Sequence, residues 1–448
     1  MEKETILELL NKDPIGVAGL HSMLAEMNVV DIAGIFDDVG KEKVLQIFRL
    51  LPKNIAAEVF AYIDPDEQQL IIEALSDNEV SDIMNKLFVD DAVDLIEEMP
   101  ANVVKRILQN VNLEKRKIIN QVLQYPEDSA GSIMTTEYVE LRENATVQEA
   151  FENIRKTGVN KETIYTCYVI RTDRLLVGVV SAKVLLLAGQ GEVIGDIMDT
   201  NLVFARTSDD QEAIAAQFKK YNLLAMPVVD NEKRLVGIIT VDDIVKIIEE
   251  ENTEDFEKMG ALAPSEDPYL KTSVIKLARN RILWLLFLML SSTITGGIIS
   301  NFEDALAVLP VLVAFIPMLM DTAGNAGSQS STLIIRGMAL DEIRFRDLFA
   351  VLWKEIRVGL LCGIILGVIN FGRIYLLNGK SSILSLTVTA SMLITIVLAK
   401  SLGCLLPMAA KKLKVDPAIM AAPLITTIVD AASLVIYFSF ATLLFKLR

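Results

Sequence analysis

The sequence predicts a multi-domain protein: an all-α helical solenoid, an α/β pair of tandem repeats, and an α-helical transmembrane domain of five spans. Three observations carry this. Mean hydropathy is +0.41 with 52% apolar residues over 448, which points to a membrane protein. Charge is split along the chain: 26 Lys/Arg and 50 Asp/Glu precede Lys271, whereas 17 and 9 follow from it, so a net −24 gives way to +8. Finally, Ile133-Met134-Thr135-Thr136 recurs as Ile197-Met198-Asp199-Thr200, and Leu176-Val177-Gly178-Val179-Val180-Ser181 as Leu235-Val236-Gly237-Ile238-Ile239-Thr240.

The same composition excludes several function classes. So acidic a body repels a phosphate backbone, so nucleic acid is not an expected partner. His21 is the one histidine, and Cys167, Cys362 and Cys404 have no paired spacing, so any metal must be held by oxygen. No nucleophile–base pair stands out in the soluble part, and an enzyme is not expected. The start, MEKETILELL, lacks a basic stretch followed by an apolar run; no signal peptide is expected, and the acidic part belongs in the cytosol.

In chain order, Val29 to Tyr125 reads as short amphipathic helices of roughly a dozen residues, broken at Leu51-Pro52, Asp64-Pro65 and Met99-Pro100. Asp64 is an N-cap before Pro65 at the first helical position. KNIAAEVFAYI, NEVSDIMNKLF, VDDAVDLIEEM and ANVVKRILQNV recur at near-constant length, the mark of a helical solenoid over residues 1–130. Residues 131–250 hold the repeat, about 131–193 and 194–250, each copy reading as short strand, helix, apolar strand, glycine-containing hairpin and helix. These residues resemble a tandem CBS domain pair, a regulatory module whose members often bind adenine nucleotides between the copies. The second copy's G-I-I-T-V-D-D matches the ribose-contact pattern at Thr240 and Asp243, which implies an ATP site there. The first copy has Ser181 but Val184 in place of the acid, so one such site is implied rather than two.

From Ile244 to about Leu262 a continuous acidic helix follows, with Glu249, Glu250, Glu251, Glu254 and Asp255. After a basic run of Lys271, Lys276, Arg279 and Arg281 come five apolar spans, at about 282–299, 305–335, 355–376, 383–408 and 417–445. At ~1.5 Å per residue the second is longer than a hydrocarbon core of about 30 Å, and Pro310 and Pro317 predict a bend. A short loop with Asn378-Gly379 joins the third and fourth. Bases in the short loops place the N-terminus inside: Arg336, Arg344, Arg346, Lys411, Lys412 and Lys414 fall on the inner side, and Arg373, Lys380, Lys446 and Arg448 outside with the C-terminus.

Two spans carry polar groups beyond what packing needs. The fifth contains Asp430, with Thr426 four residues earlier on the same helix face, after Asp416-Pro417, Pro423 and beside Thr427. A carboxylate at that depth costs about 2.5 to 3.5 kcal/mol on insertion scales. The second span contains Asp321, Asn325, Ser328 and Gln329 among small residues, a density of oxygens that lines a cavity.

YPEDSAGSIM at 125–134, the repeat pair, TEDFEKMG at 253–260, GNAGSQ at 324–329, and DPA at 416–418 followed by TTIVD at 426–430 together resemble the MgtE family of magnesium channels along the whole chain. The resemblance implies a homodimer in the bilayer with a pore between fifth spans, a connecting plug helix over 251–270, and a five-helix membrane domain over 271–448. It implies Asp430 as the carboxylate that selects the ion, Asn325 with neighbouring carbonyls along the path, and Asp416 at the cytosolic mouth. Glu254 and Asp255 would bind Mg2+ on the plug in the closed state, with Asp243 and Asp91 in bridging sites between domains.

Residue chemistry is in keeping with this. Mg2+ keeps several waters and needs only one or two carboxylates, whereas Ca2+ takes six to eight oxygens and softer metals take His or thiolate. There is no Walker motif, since Ile374 stands where the glycine ahead of Gly379-Lys380-Ser381 would be. The membrane potential supplies about 4.6 kcal/mol per 100 mV for a divalent ion. The expectation is Mg2+ uptake shut off by internal Mg2+. Two other readings share its parts: a transporter of another divalent cation such as Co2+ or Mn2+, and a membrane-anchored adenylate sensor without conductance.

Overall fold

Helix caps set the rhythm of the N-terminal region in the computed structural model, which describes residues 6, 17–53, 55–265, 269–303, 307, 309–377, 381–420 and 422–446. Two units divide the chain, 1–248 and 249–448. The first begins with short helices: α1 (Val17–Glu26), α2 (Val29–Phe36), α3 (Lys41–Leu50), α4 (Ala56–Ala61), α5 (Pro65–Ala74), α6 (Asp77–Lys86), α7 (Val89–Glu98), α8 (Ala101–Asn110) and α9 (Leu113–Val122). Pro65 opens α5 behind Asp64, and a reciprocal Ser76–Glu79 capping box opens α6. Leu51 and Met99 are C-caps, as the following prolines lead one to expect. Each helix buries one stripe, with Phe36, Ile47, Phe60, Ile71, Val93 and Ile107 in a common core, and most pack on the helix two further along.

The repeat folds twice in the same way. β1 (Val139–Arg142), α10 (Val147–Thr157), β2 (Thr166–Ile170), β3 (Leu176–Ser181) and α11 (Ala182–Leu187) form the first copy. After the short α12 (Ile194–Ile197), β4 (Ala205–Arg206), α13 (Gln211–Tyr221), β5 (Ala225–Val229) and β6 (Leu235–Thr240) form the second, leading into α14 (Val241–Met259). In each sheet the first two strands are parallel and the last two antiparallel. The glycines are not in the hairpin turns, where Arg174 and Lys233 take the positive φ. Gly178 lies in β3 and Gly237 in β6, and their role is close approach: a Cβ on Gly237 would strike the Met134 side chain and the Thr135 carbonyl, and one on Gly178 the Met198 side chain. Thr135 bridges to Ile238, and Asp199 to Val179. The two recurring landmarks are therefore one device, in which the Ile-Met segment of each copy plugs the glycine strand of the other.

The second unit holds α15 (Val274–Asn301), α16 (Ile316–Ala339), α17 (Leu348–Leu377), α18 (Ser382–Lys412) and α19 (Ala422–Phe445), and five stretches containing these helices are long and apolar enough to cross a membrane. Their ends correct the sequence reading. The first helix starts at Val274 rather than near 282, and the third at Leu348, so Glu355 lies inside its helix instead of at its start. The second span is regular only from Ile316, because Pro310 to Phe315 form a 3-10 turn ahead of Pro317. The acidic helix runs Val241–Met259 and stops at Gly260 and the left-handed Ala261, short of the expected 262 and of the plug boundary at 270. Asn378, Gly379, Lys380 and Arg448 lie outside the described residues.

Small residues bring α16 against two neighbours. A Cβ on Gly324 or Gly327 would press on Thr426 or Ile425 of α19, and Gly403 of α18 lies against the Gly327 carbonyl. α15 buries no residue and packs chiefly on α19, with open space at Gly296 and Gly297. Because the obstacle at Gly403 is backbone, Gly403→Ala should destabilise the detergent-solubilised protein by about 1 to 3 kcal/mol in denaturant unfolding. Gly372→Ala, with nothing near its new methyl, should cost nothing measurable.

Candidate functional site

The two sides of α16 differ in exposure. Ala323, Gly324, Ala326, Gly327, Ser330 and Ser331 are buried, while Asp321, Asn325 and Gln329, spaced four apart, form an exposed stripe. Asp430 on α19 is half-buried, one turn beyond Thr426, against which Gly324 of α16 packs. One turn before it, Thr426 and Thr427 both donate to the Pro423 carbonyl, at 2.9 and 3.0 Å, which leaves their oxygen lone pairs available. Ser433 donates to the Asp430 carbonyl. The structure thus sets the turn of α19 that carries Thr426 and Asp430 against α16, and puts Asn325 on the same exposed stripe as Asp321.

Asp416 caps the turn ahead of α19 by accepting from the Ala418 N–H at 2.8 Å. Its other oxygen accepts from Lys258 Nζ at 2.7 Å, and Lys258 also reaches Glu254 at 2.6 Å. Burial works against the Lys258 charge, but the two carboxylates outweigh it and raise its pKa. The acids expected at the mouth and on the plug are therefore joined here by an ammonium. Asp255 is half-buried beside them in sequence. The sequence reading passed over Lys258, although the spacing Glu254-x-x-x-Lys258 carried the signal.

In the first unit the acids crowd. Asp90, Asp91 and Asp94 come from α7, Glu162 from the loop after α10, and Asp242 and Asp243 from the start of α14. Asp243 accepts from Thr240 Oγ1 at 2.8 Å and lies 3.7 Å from Lys246. Burial, followed by Asp91 and Asp243, holds Asp90 well above the carboxylate range, and its Oδ1 has no hydrogen-bond partner. Asp91 and Asp243 are raised as well, burial again first. Asp94 is pushed up to about 7 and Glu162 to about 8 by loss of water and by neighbouring acids. Asp94 keeps an open face in spite of the crowding. Lys246, although burial disfavours its charge, is raised by Asp243, Asp91 and Asp94.

Asp91 and Asp243, paired by resemblance alone, thus share one electrostatic environment. Asp90, Asp94, Glu162 and Asp242 join them unanticipated; the Asp90–Asp94 spacing could have flagged two, but Glu162 sits in a loop without periodic signal. Among the described residues no three such side chains converge as a ready metal cage. The arrangement suits a hard cation that keeps its own waters and reaches the carboxylates through them.

Three family models match the chain: an intracellular N domain over residues 27–128, CBS domains over 130–191 and 194–250, and a divalent cation transporter domain over 316–440. The magnesium transporter MgtE of Thermus thermophilus is 35% identical over 431 residues, covering 95% of each chain. That of Bacillus subtilis is 31% identical over 430 residues, 95% of this chain and 94% of the other. A solved soluble part of a magnesium transporter superposes with a TM-score of 0.52 at 26% identity, over 56% of this chain and 98% of that one.

The raised carboxylates set a pH dependence. With folded values of about 7 for Asp94 and about 8 for Glu162 against ordinary values of 3.8 and 4.5, the folded state binds more protons between about pH 4 and pH 8. Stability therefore falls as pH rises through that window. In chelator-treated protein the unfolding midpoint should drop from about pH 5 to about pH 8, and excess Mg2+ should flatten the decline. A midpoint independent of pH would contradict the crowding.

Proposed function

The chain belongs to the MgtE family of magnesium transporters, and on that premise we propose that it is a Mg2+-selective channel for uptake driven by the membrane potential and closed by intracellular Mg2+. The observation that carries this reading is the exposed stripe of Asp321, Asn325 and Gln329 beside Asp430. Facing lipid, such a stripe is costly; facing a second copy across water, it lines a path. The lack of buried residues on α15, with its open glycines, supports the same homodimer. Two Asp430 carboxylates, one per copy, select a hydrated Mg2+, Asn325 and nearby carbonyls line the way, and Asp416 stands at the mouth.

Closure follows from the acidic groups. At low internal Mg2+ the carboxylates around Asp91 and Asp243 repel; at high Mg2+ bound ions bridge them, while Glu254 and Asp255 take ions on the connecting helix. The N-terminal domain is intracellular, and five spans carry the C-terminus to the outer side. An adenine nucleotide contacts Thr240 and Asp243 by ribose; since Asp243 serves both sets, nucleotide and Mg2+ affinities are linked.

In proteoliposomes, Asp430→Ala should lower selective Mg2+ flux by about tenfold or more. Undiminished selective flux would overturn the pore assignment. Asp243→Ala and Glu254→Ala should leave conduction intact in patches but require about tenfold more internal Mg2+ for shut-off.

A further inference from the structure

Three membrane helices meet at a buried pair of opposite charges that the path described above does not use. Glu355 of α17 is 9% exposed, Lys400 of α18 5% and Ser330 of α16 1%. Ser330 Oγ donates to Glu355 Oε2 at 2.5 Å and accepts from Lys400 Nζ at 3.3 Å. Ser330 lies about two and a half turns before the end of α16, Lys400 just over three turns before the end of α18, and Glu355 about two turns after the start of α17. Gly359, one turn after Glu355, lets α17 come close to α18: a Cβ there would sit 3.1 Å from Val397 Cα.

Consecutive residues of α16 face different tasks. Gln329 belongs to the exposed stripe, Ser330 to the buried pair, and Ser331 donates to the Met420 carbonyl at 2.9 Å, just ahead of α19. Apolar side chains of the same volume would hold three helices together as well, because a buried pair gives back in attraction little more than its desolvation costs. What the pair adds is a fixed axial register, since one hydroxyl must meet both charges.

We propose that Glu355, Ser330 and Lys400 are positioning residues for permeation: they set the register of α16, and thereby the height at which Asp321, Asn325 and Gln329 face Asp430. The inference rests on the channel reading. Full-length protein is reconstituted into liposomes, and initial Mg2+ influx is measured against external Mg2+, per folded molecule by gel filtration. Glu355→Gln and Lys400→Met each strand one charge, the double variant strands none, and Ser330→Ala removes only the bridge. The single charge variants should lose about tenfold in maximal flux at unchanged KM, with Ser330→Ala losing severalfold. The double variant, which strands no charge but lacks the two-sided bridge, should recover only to the level of Ser330→Ala, severalfold below the parent.

Normal flux per folded molecule in the single variants, including the case where only their yield falls, overturns the proposal, as does a double variant that conducts like the parent, because the register would then not depend on the bridge. Should the charge variants fail to fold, Ser330→Ala decides by the same readout. A parent that carries no Mg2+ sinks the channel reading and this proposal with it; a conducting parent beside equally conducting variants sinks this proposal alone.

Discussion

The membrane unit depends on α16 lying close to two neighbours at once. Gly327 and Gly403 let α16 and α18 approach to backbone distance, and Gly324 and Gly327 admit the Thr426 and Ile425 side chains of α19. Between helices in lipid there is little hydrophobic gain from such contact, so its stability comes from dispersion and from hydrogen bonds. A helix held this way on its small face has its other face determined. The polar residues between the glycines cannot turn inward, and so Asp321, Asn325 and Gln329 are presented outward as a row.

Electrostatics plays the complementary part in the first unit. There the burial of Asp90 and the crowding of Asp91, Asp94, Glu162 and Asp243 raise all of these carboxylates above their ordinary range. A surface of this kind stores repulsion, and in the proposed cycle a hydrated divalent ion releases it without a preformed cage. Lys258 shows the same need on a smaller scale, since one ammonium joins Glu254 and Asp416.

Much of this was legible in the sequence because it depends on local chemistry. Caps and prolines placed the short helices, hydropathy placed five spans, and the doubled landmarks placed the two sheets. What escaped depends on tertiary neighbours. Glu355 read as the polar edge of a span because three charges, Lys354, Glu355 and Arg357, cluster there; only the packing of α17 on α18 puts it inside opposite Lys400. Glu162 lies in a loop and joins α7 and the start of α14 through folding alone. The glycines of the repeat looked like turn residues, yet their purpose is set by methionines far away in sequence.

That last exchange bears on how such a chain could have arisen and how it can be cut. Met134 fills the groove at Gly237, and Met198 the groove at Gly178, so neither copy is complete by itself. A fragment ending between the copies would retain a bare glycine strand and a stranded methionine, each an adhesive surface. The module is thus indivisible, and expression of one copy should yield aggregates or a domain-swapped pair instead of a soluble monomer.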